Sequence, residues 1–387
     1  MTARVINPPR RSLARRAMAA SSVVGRMDGV LLVAVAALSV IGTLLVWSST
    51  RTWAPGSTGL VKKHVLNLAI GAVLTGLATM VNHRRLRAYA PLVYAVTFVG
   101  LILVITPLGS TVNGAHSWIM LGGGFAFQPS ELAKLGLALM LAMLMAQPAK
   151  GGERPRGLDV GVSLAVAALT MGMVMLQPDL GTTMVLGVIT AAAMIIAGVR
   201  KRWVLGLALL VVAGAVGVWF LDVLEPYQIA RFTAFLNPAS DPRGVGYNST
   251  QSLIAIGSGG LFGKGLFRGG QTTGRFVPEQ HTDFVFTVAG EEFGFLGSVT
   301  VVALLAVVLL RGMRIARRCD DRFGAMTAGV IVCWLAFQSF VNVGMTIGIM
   351  PITGLPLPFV SYGGTATFAN MIAVGLLQAI HIRQRPF

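Results

Sequence analysis

The chain has 387 residues, 55% of them hydrophobic and only 12% charged, and its mean hydropathy is +0.74. A soluble globular domain carries about 25% charged residues, so the composition excludes an ordinary soluble fold and points to an integral membrane protein. The formal net charge of +17 would suggest nucleic acid in a soluble protein. Here the basic residues must first be placed against the membrane, and they are accounted for by its topology, with no nucleic-acid partner.

Residues 1–27 form a basic tail with Arg10-Arg11 and Arg15-Arg16, suited to an anionic lipid surface. Ten apolar segments follow, near 29–50, 63–81, 89–106, 131–147, 159–177, 179–198, 203–221, 284–310, 325–347 and 365–381. Each is close to the ~20 residues a spanning helix needs, and helices are the form that satisfies the backbone in lipid. The first run is too long for the apolar region of a cleaved leader. The expected fold is an all-α polytopic membrane protein with about ten transmembrane helices in a single domain over 28–381, ending in a tail at 382–387. Gln177-Pro178-Asp179 leaves room only for a tight hairpin between the fifth and sixth spans.

With both termini placed in the cytoplasm, the tails and cytoplasmic loops hold 22 of the 31 Lys and Arg residues, a strong positive-inside pattern. The large loop between helices 7 and 8, residues 222–283, then lies outside. Its apolar anchors Leu253, Ile254, Ile256, Leu261 and Phe262 predict short helical or re-entrant pieces on the outer membrane face, not a disordered linker. Cys319 and Cys333 show no disulfide or metal spacing.

Nine of the 14 acids fall outside or in the outer half of the membrane. Glu131 and Asp179 each follow a Gln-Pro at a helix start, where an acid complements the dipole, and Lys134 is placed for an i,i+3 ion pair with Glu131. Glu291 and Glu292 read as structural, with Asn342 or Lys134 as candidate partners. Asp283 differs. It ends the outer loop at the lipid boundary beside His281 and Thr282, with no Lys or Arg within a helical turn and Glu279 four residues back. An apolar boundary and a neighbouring carboxylate are expected to raise its pKa, which suits a general base or an ion-binding group. Arg231, Arg243, Lys264, Arg268 and Arg275 lie in outer loops, where the positive-inside rule does not explain them. They serve solubility or an anionic ligand such as a pyrophosphate, helped by nearby glycine-rich backbone. The Pro-rich stretch 351–364 is either a rigid connector or a wall of a sugar site using Ser361 and Tyr362.

Several stretches in order resemble one family: Asn113-Gly114-Ala115 with Trp118, Gln128-Pro129-Ser130-Glu131 with Lys134, and Gln177-Pro178-Asp179-Leu180-Gly181-Thr182. Tyr247 with Gln251-Ser252, IAIGSGGLFGKG (254–265), PEQHTDF (278–284) and GIMPITGLPLPFVSYGG (348–364) complete the set. The chain is similar over nearly all of 28–381 to the SEDS family (shape, elongation, division and sporulation), and Thr353 to Pro358 looks RodA-like more than FtsW-like. It departs from common family patterns at Ser117, Asn248, Arg275 and Thr365, all on loop rims.

The resemblance implies a peptidoglycan glycosyltransferase of the bacterial plasma membrane that polymerises lipid II on the outer face, inverting the donor linkage. It also implies a class B penicillin-binding protein as transpeptidase partner, within a larger set of elongation-complex membrane proteins. Asp283 is then the general base. Trp118, Glu131, Lys134, His281, Thr282, Ser361 and Tyr362 are substrate-binding candidates, with Arg231, Arg243, Lys264 and Arg268 on the pyrophosphate. A divalent cation, Mg or Mn, could share that last task; its ligands are unknown, and no organic cofactor is expected. The alternatives are a lipid II flippase, which would need a polar path through the inner half, a non-catalytic scaffold, or an FtsW-like division polymerase.

Overall fold

Four of the described helices begin where the sequence supplies a side-chain cap. Asp28, Asn82, Asp179 and Asp321 each accept a hydrogen bond from a backbone N–H in the first turn that follows them. The computed structural model describes residues 25–52, 58–112, 115–122, 125–146, 154–220 and 244–384, with residues 229, 233 and 235. The basic tail through residue 24, Arg231, Asp241-Pro242 and Arg243 lie outside the described residues.

In chain order the elements are α1 (Gly29–Thr50), α2 (Gly59–Met80), α3 (His83–Ile105), β1 (Gly109–Val112), β2 (Ala115–Gly122), β3 (Phe125–Phe127), α4 (Pro129–Met145) and α5 (Gly157–Met175). They continue as α6 (Leu180–Ile196), α7 (Lys201–Phe220), α8 (Val245–Ser258), α9 (Gly270–Gly274), α10 (Val285–Arg318), α11 (Arg322–Thr346) and α12 (Gly364–Ile382). A described helix lies over each of the ten apolar segments. Among the described residues seven helices are long and apolar enough to cross a membrane, and α6 is apolar but shorter. The chain is a multi-pass, helical membrane protein.

α11 and α12 form the centre, each about 72% buried over its most apolar window, while α2 and α3 are only 17% buried and turn Leu66, Ile70, Val73, Leu92 and Val96 outward. Outward-facing aliphatic rows of this kind suit lipid. Small residues let the central helices close up: a Cβ on Gly375 of α12 would come within 2.6 Å of the Thr75 carbonyl on α2. Thr75 Oγ1 donates to the Met371 carbonyl at 2.9 Å across the same seam.

At one end of the bundle, Arg311 Nε of α10 donates to Asp28 Oδ2 at 2.7 Å, and Gln378 of α12 exchanges two hydrogen bonds with the Asp28 backbone. Arg383 caps the carbonyls of Thr79 and Met80. The opposite end carries the loops. There the structure adds what the sequence did not announce, a three-stranded antiparallel sheet in the order β1-β2-β3, with Ser110 opposite Trp118 and Ile119 opposite Phe127.

The described part of the long loop contains the short helices α8 and α9, as its apolar anchors predicted. It is sewn onto α10, which breaks at Gly294 (φ 68°, ψ −162°). Phe295 and Leu296 N–H donate to the carbonyls of Gly260 and Leu261, and Lys264 and Gly265 N–H donate to those of Glu291 and Glu292. A Cβ at Gly294 would lie 2.2 Å from Gly263 N, and its positive φ also favours glycine.

Candidate active site

A cavity of about 520 Å³ opens at the loop end of the bundle. Its wall is built from β2 and β3, the first turns of α4, α6 and α12, the turn before α10, and the irregular connector between α11 and α12. The 351–364 stretch lies partly in this wall. It is a largely buried connector, and it supplies Ile352 to Pro356 and Tyr362 to the wall.

Asp283 lies in this wall, at the end of a turn that the chain makes over Glu279 (φ 51°), whose carbonyl accepts from the N–H groups of Thr282, Asp283 and Phe284. The turn is pinned from behind. Asn342, fully buried on α11, donates from Nδ2 to the carbonyls of Asp283 (2.8 Å) and Leu355 (2.7 Å), so the aspartate and the connector share one anchor. Gly354 (φ 76°) lies against the carboxylate; a Cβ there would sit 3.6 Å from Asp283 Oδ2. Thr282 Oγ1 donates to Glu279 Oε2 at 3.1 Å.

On the facing wall, Gln128 Nε2 donates to Asp179 Oδ2 at 3.2 Å while Asp179 Oδ1 caps α6 through Thr182 N–H. Gln128 N–H donates to Thr365 Oγ1, tying α4 to α12. The predicted Glu131–Lys134 pair forms at 2.8 Å and is fully enclosed. Lys134 Nζ also donates to Gln338 Oε1 (3.1 Å) and lies 5.2 Å from the Trp334 ring centre; Gln338 passes the link on to the Pro356 carbonyl. Tyr362 sits between two histidine rings, His281 at 5.6 Å and His64 at 5.9 Å. Burial holds the His281 pKa below its usual value, with Glu279 pulling the other way, and burial raises that of the Tyr362 phenol.

The cavity thus brings together Asp283, Trp118, Glu131, Thr282 and Tyr362 from the sequence-derived set. Lys134 and His281 stand behind the wall, one under Glu131 and one under Tyr362. Ser361 is spent on its own turn, accepting from Leu357 N–H at 2.8 Å. Lys264 and Arg268 do not line the cavity. Lys264 Nζ is paired with Glu291 Oε1 at 2.9 Å, and Arg268 is exposed on the loop.

The partners expected for Glu291 and Glu292 also need correction. Glu291 accepts from Lys264, from the N–H groups of Gln271 and Thr272, and from Thr272 Oγ1; Glu292 accepts from Ser48. Asn342 and Lys134 are engaged elsewhere because the glutamates face the loop and α1. Sequence reasoning missed Asn67, Asn248 and the Gly363-Gly364 pair as lining residues. Asn67 carried a signal, since it is a lone amide within the apolar run 63–81.

Among the described residues, no three His, Cys, Asp or Glu side chains gather as a ligand set for a metal ion. Among the described residues the wall carries four carboxylates, those of Glu131, Asp179, Glu279 and Asp283, and no Lys or Arg.

Residues 29–386 match the family model for cell cycle proteins of the FtsW, RodA and SpoVE type. The peptidoglycan glycosyltransferase MrdB of Escherichia coli is 34% identical, covering 93% of this chain and 94% of that protein. Stage V sporulation protein E of Bacillus subtilis is 36% identical over 90% of this chain and 95% of its own. A peptidoglycan synthase complex, solved for its structural coordination of polymerization and crosslinking, contains a chain with a TM-score of 0.76 and 31% identity, covering 92% of this chain and 98% of that one. The rod shape determining protein RodA of Thermus thermophilus has a TM-score of 0.67 and 29% identity, covering 93% of this chain and 98% of that one.

Proposed function

The chain belongs to the FtsW/RodA/SpoVE family of cell cycle proteins, and from that premise we propose that it polymerises lipid II into glycan strands with Asp283 as general base. It is a peptidoglycan glycosyltransferase, and the RodA-like reading assigns it to cell elongation and rod shape. The reaction joins the 4-hydroxyl of an acceptor GlcNAc to the anomeric carbon of a donor whose leaving group is a lipid pyrophosphate. The acceptor oxygen must lose a proton as it attacks. The leaving group is already stable, so it needs charge stabilisation and not a proton. One carboxylate therefore suffices, and a single displacement inverts the donor's α-linkage to β.

The observation that carries the reading is the setting of Asp283. It lies in the cavity wall over Gly354, and Asn342 anchors its backbone to the same connector that carries Gly354. A base held in this way loses little entropy when the acceptor hydroxyl arrives. Glu131, supported by Lys134, and Trp118 and Tyr362 are placed to contact the sugars. A divalent cation would neutralise charge on the pyrophosphate. It would be shared between one or two wall carboxylates and the substrate's own phosphates, as Mg commonly is.

The cavity faces outward in this reading, because the basic loops that hold 22 of the 31 Lys and Arg fall at the other side. A class B penicillin-binding protein is the proposed partner, supported by the similarity to a chain of a complex that coordinates polymerization with crosslinking.

The test is polymerisation of purified lipid II by the protein with its transpeptidase, comparing wild type with Asp283→Asn. Strands from the wild type and a loss of about 100-fold or more in a folded variant are expected. Full activity in the variant would remove Asp283 from the chemistry. Transfer of lipid II across a bilayer without strands would favour the flippase.

A further inference from the structure

The proposed substrate brings a pyrophosphate into a cavity whose described wall has four carboxylates and no Lys or Arg. Beside any divalent cation, donors of the protein itself are then needed to meet that charge. Four helix N-termini, those of α4, α6, α10 and α12, reach the wall, and each presents N–H groups and the positive end of a helix dipole. Three of them have an acid at or beside the cap: Asp179 caps α6, Glu131 lies in the first turn of α4, and Asp283 directly precedes the Phe284 cap of α10. At α12 Gly363 occupies the cap position, no side chain caps the helix, and its first turn contains no acid. Gly363, Gly364, Thr365 and Ala366 all line the cavity.

A second observation points to a ligand at the same place. Asn67 of α2 is 2% exposed and lines the cavity, and its Oδ1 has no partner. Its carboxamide lies against Gly364, where a Cβ would be 3.4 Å from Nδ2. A buried amide oxygen left unpaired costs about 1–3 kcal/mol, which a ligand hydrogen bond would recover. One turn earlier on the same face of α2, Lys63 places Nζ 5.6 Å from the ring centre of Phe125, another lining residue. Lys63 therefore brings a cation to the rim above Asn67.

We propose that the N-terminus of α12, with Asn67 and Lys63, is the receptor for the pyrophosphate of the lipid-linked donor. This rests on the polymerase reading and deepens it. The first-turn N–H groups of α12 bind the phosphate nearer the sugar, as helix N-termini do. Asn67 donates from Nδ2 to a phosphate oxygen and accepts at Oδ1 from the N–H of the acetamido group beside the anomeric carbon. Lys63 meets the outer phosphate as a point charge. The leaving group then departs along the α2–α12 wall. The paired glycines have a reason in this scheme: a side chain at 364 would fill the space between the helix N–H groups and Asn67.

The experiment measures binding of undecaprenyl pyrophosphate to the full-length protein in nanodiscs, with undecaprenol as the phosphate-free control. Wild type and Asp283→Asn are expected to prefer the pyrophosphate equally. Asn67→Asp, which puts a carboxylate against the bare helix end, is expected to weaken pyrophosphate binding about tenfold or more and to leave undecaprenol unchanged. Lys63→Met, at the half-buried rim, is expected to weaken it several-fold and to reduce its salt dependence. Pyrophosphate binding at wild-type strength by both variants would overturn the receptor, whatever the polymerase assay shows. If wild type makes no strands but its preference for pyrophosphate depends on Asn67 and Lys63, the anion site stands and the polymerase reading falls.

Discussion

Asn342 shows how much one buried amide can govern. It spends both Nδ2 hydrogens on carbonyls from two different segments. Asn342→Leu should leave the Asp283 and Leu355 carbonyls unsatisfied, costing about 2–4 kcal/mol in thermal unfolding. Turnover should fall further than substrate binding, since the base is displaced and the sugar contacts are not. His281 offers a pH test. Its folded pKa lies below the ordinary 6.5, so the unfolded chain takes up the proton first as pH falls. The stability it contributes is complete above 6.5 and drains away as pH drops toward the folded value. Melting temperatures followed from about pH 7.5 to 5 should decline, and His281→Gln should flatten that decline. Asp283 stood out in the sequence because no cation lay near it along the chain. Lys264 looked available for a ligand by the same kind of reasoning, but its partner Glu291 is 27 residues away and became visible only with the fold.

The loop from 259 to 276 is held to α10 by backbone hydrogen bonds at 260–265 and, beyond them, by one buried carboxylate. Glu291 accepts four hydrogen bonds from Lys264, Gln271 and Thr272, so removing its charge should free the loop without melting the bundle. Glu291→Gln is expected to open residues 264–275 to limited proteolysis while the helical circular dichroism stays constant. Gly294→Ala should be harsher, because its backbone has positive φ and the Gly263 amide occupies the space a Cβ would need. The ten apolar segments were legible because period and length survive in any context. The strands β1 to β3 were not, since they are 4, 8 and 3 residues long and pair only with one another. β1 and β3 are too short for alternation to emerge, and β2 (AHSWIMLG) does not alternate apolar with polar residues.

Across the whole molecule, the enclosed Glu131–Lys134–Gln338–Trp334 network joins α4 to α11 and to the connector behind the cavity. Lys134→Met alone strands a buried carboxylate and should destabilise the protein by about 3–5 kcal/mol, whereas the Glu131→Gln, Lys134→Met pair should recover much of the loss; thermal unfolding in detergent distinguishes the two. The sequence by itself determined that this is a helical membrane protein, where its apolar helices lie, and that Asp283 was the carboxylate to suspect. Those properties follow from local rules: lipid forces each spanning backbone to satisfy itself within its own segment, and an acid at a boundary with no cation beside it in the chain stands out wherever it occurs. Only the tertiary structure decided which residues meet. Asn67, Asp179, Asp283, Gly354 and Gly364 are spread over nearly 300 positions and share one cavity because close helix packing, set by small residues and side-chain shape, brings their elements to the same end of the bundle, and no local pattern in the chain encodes that choice.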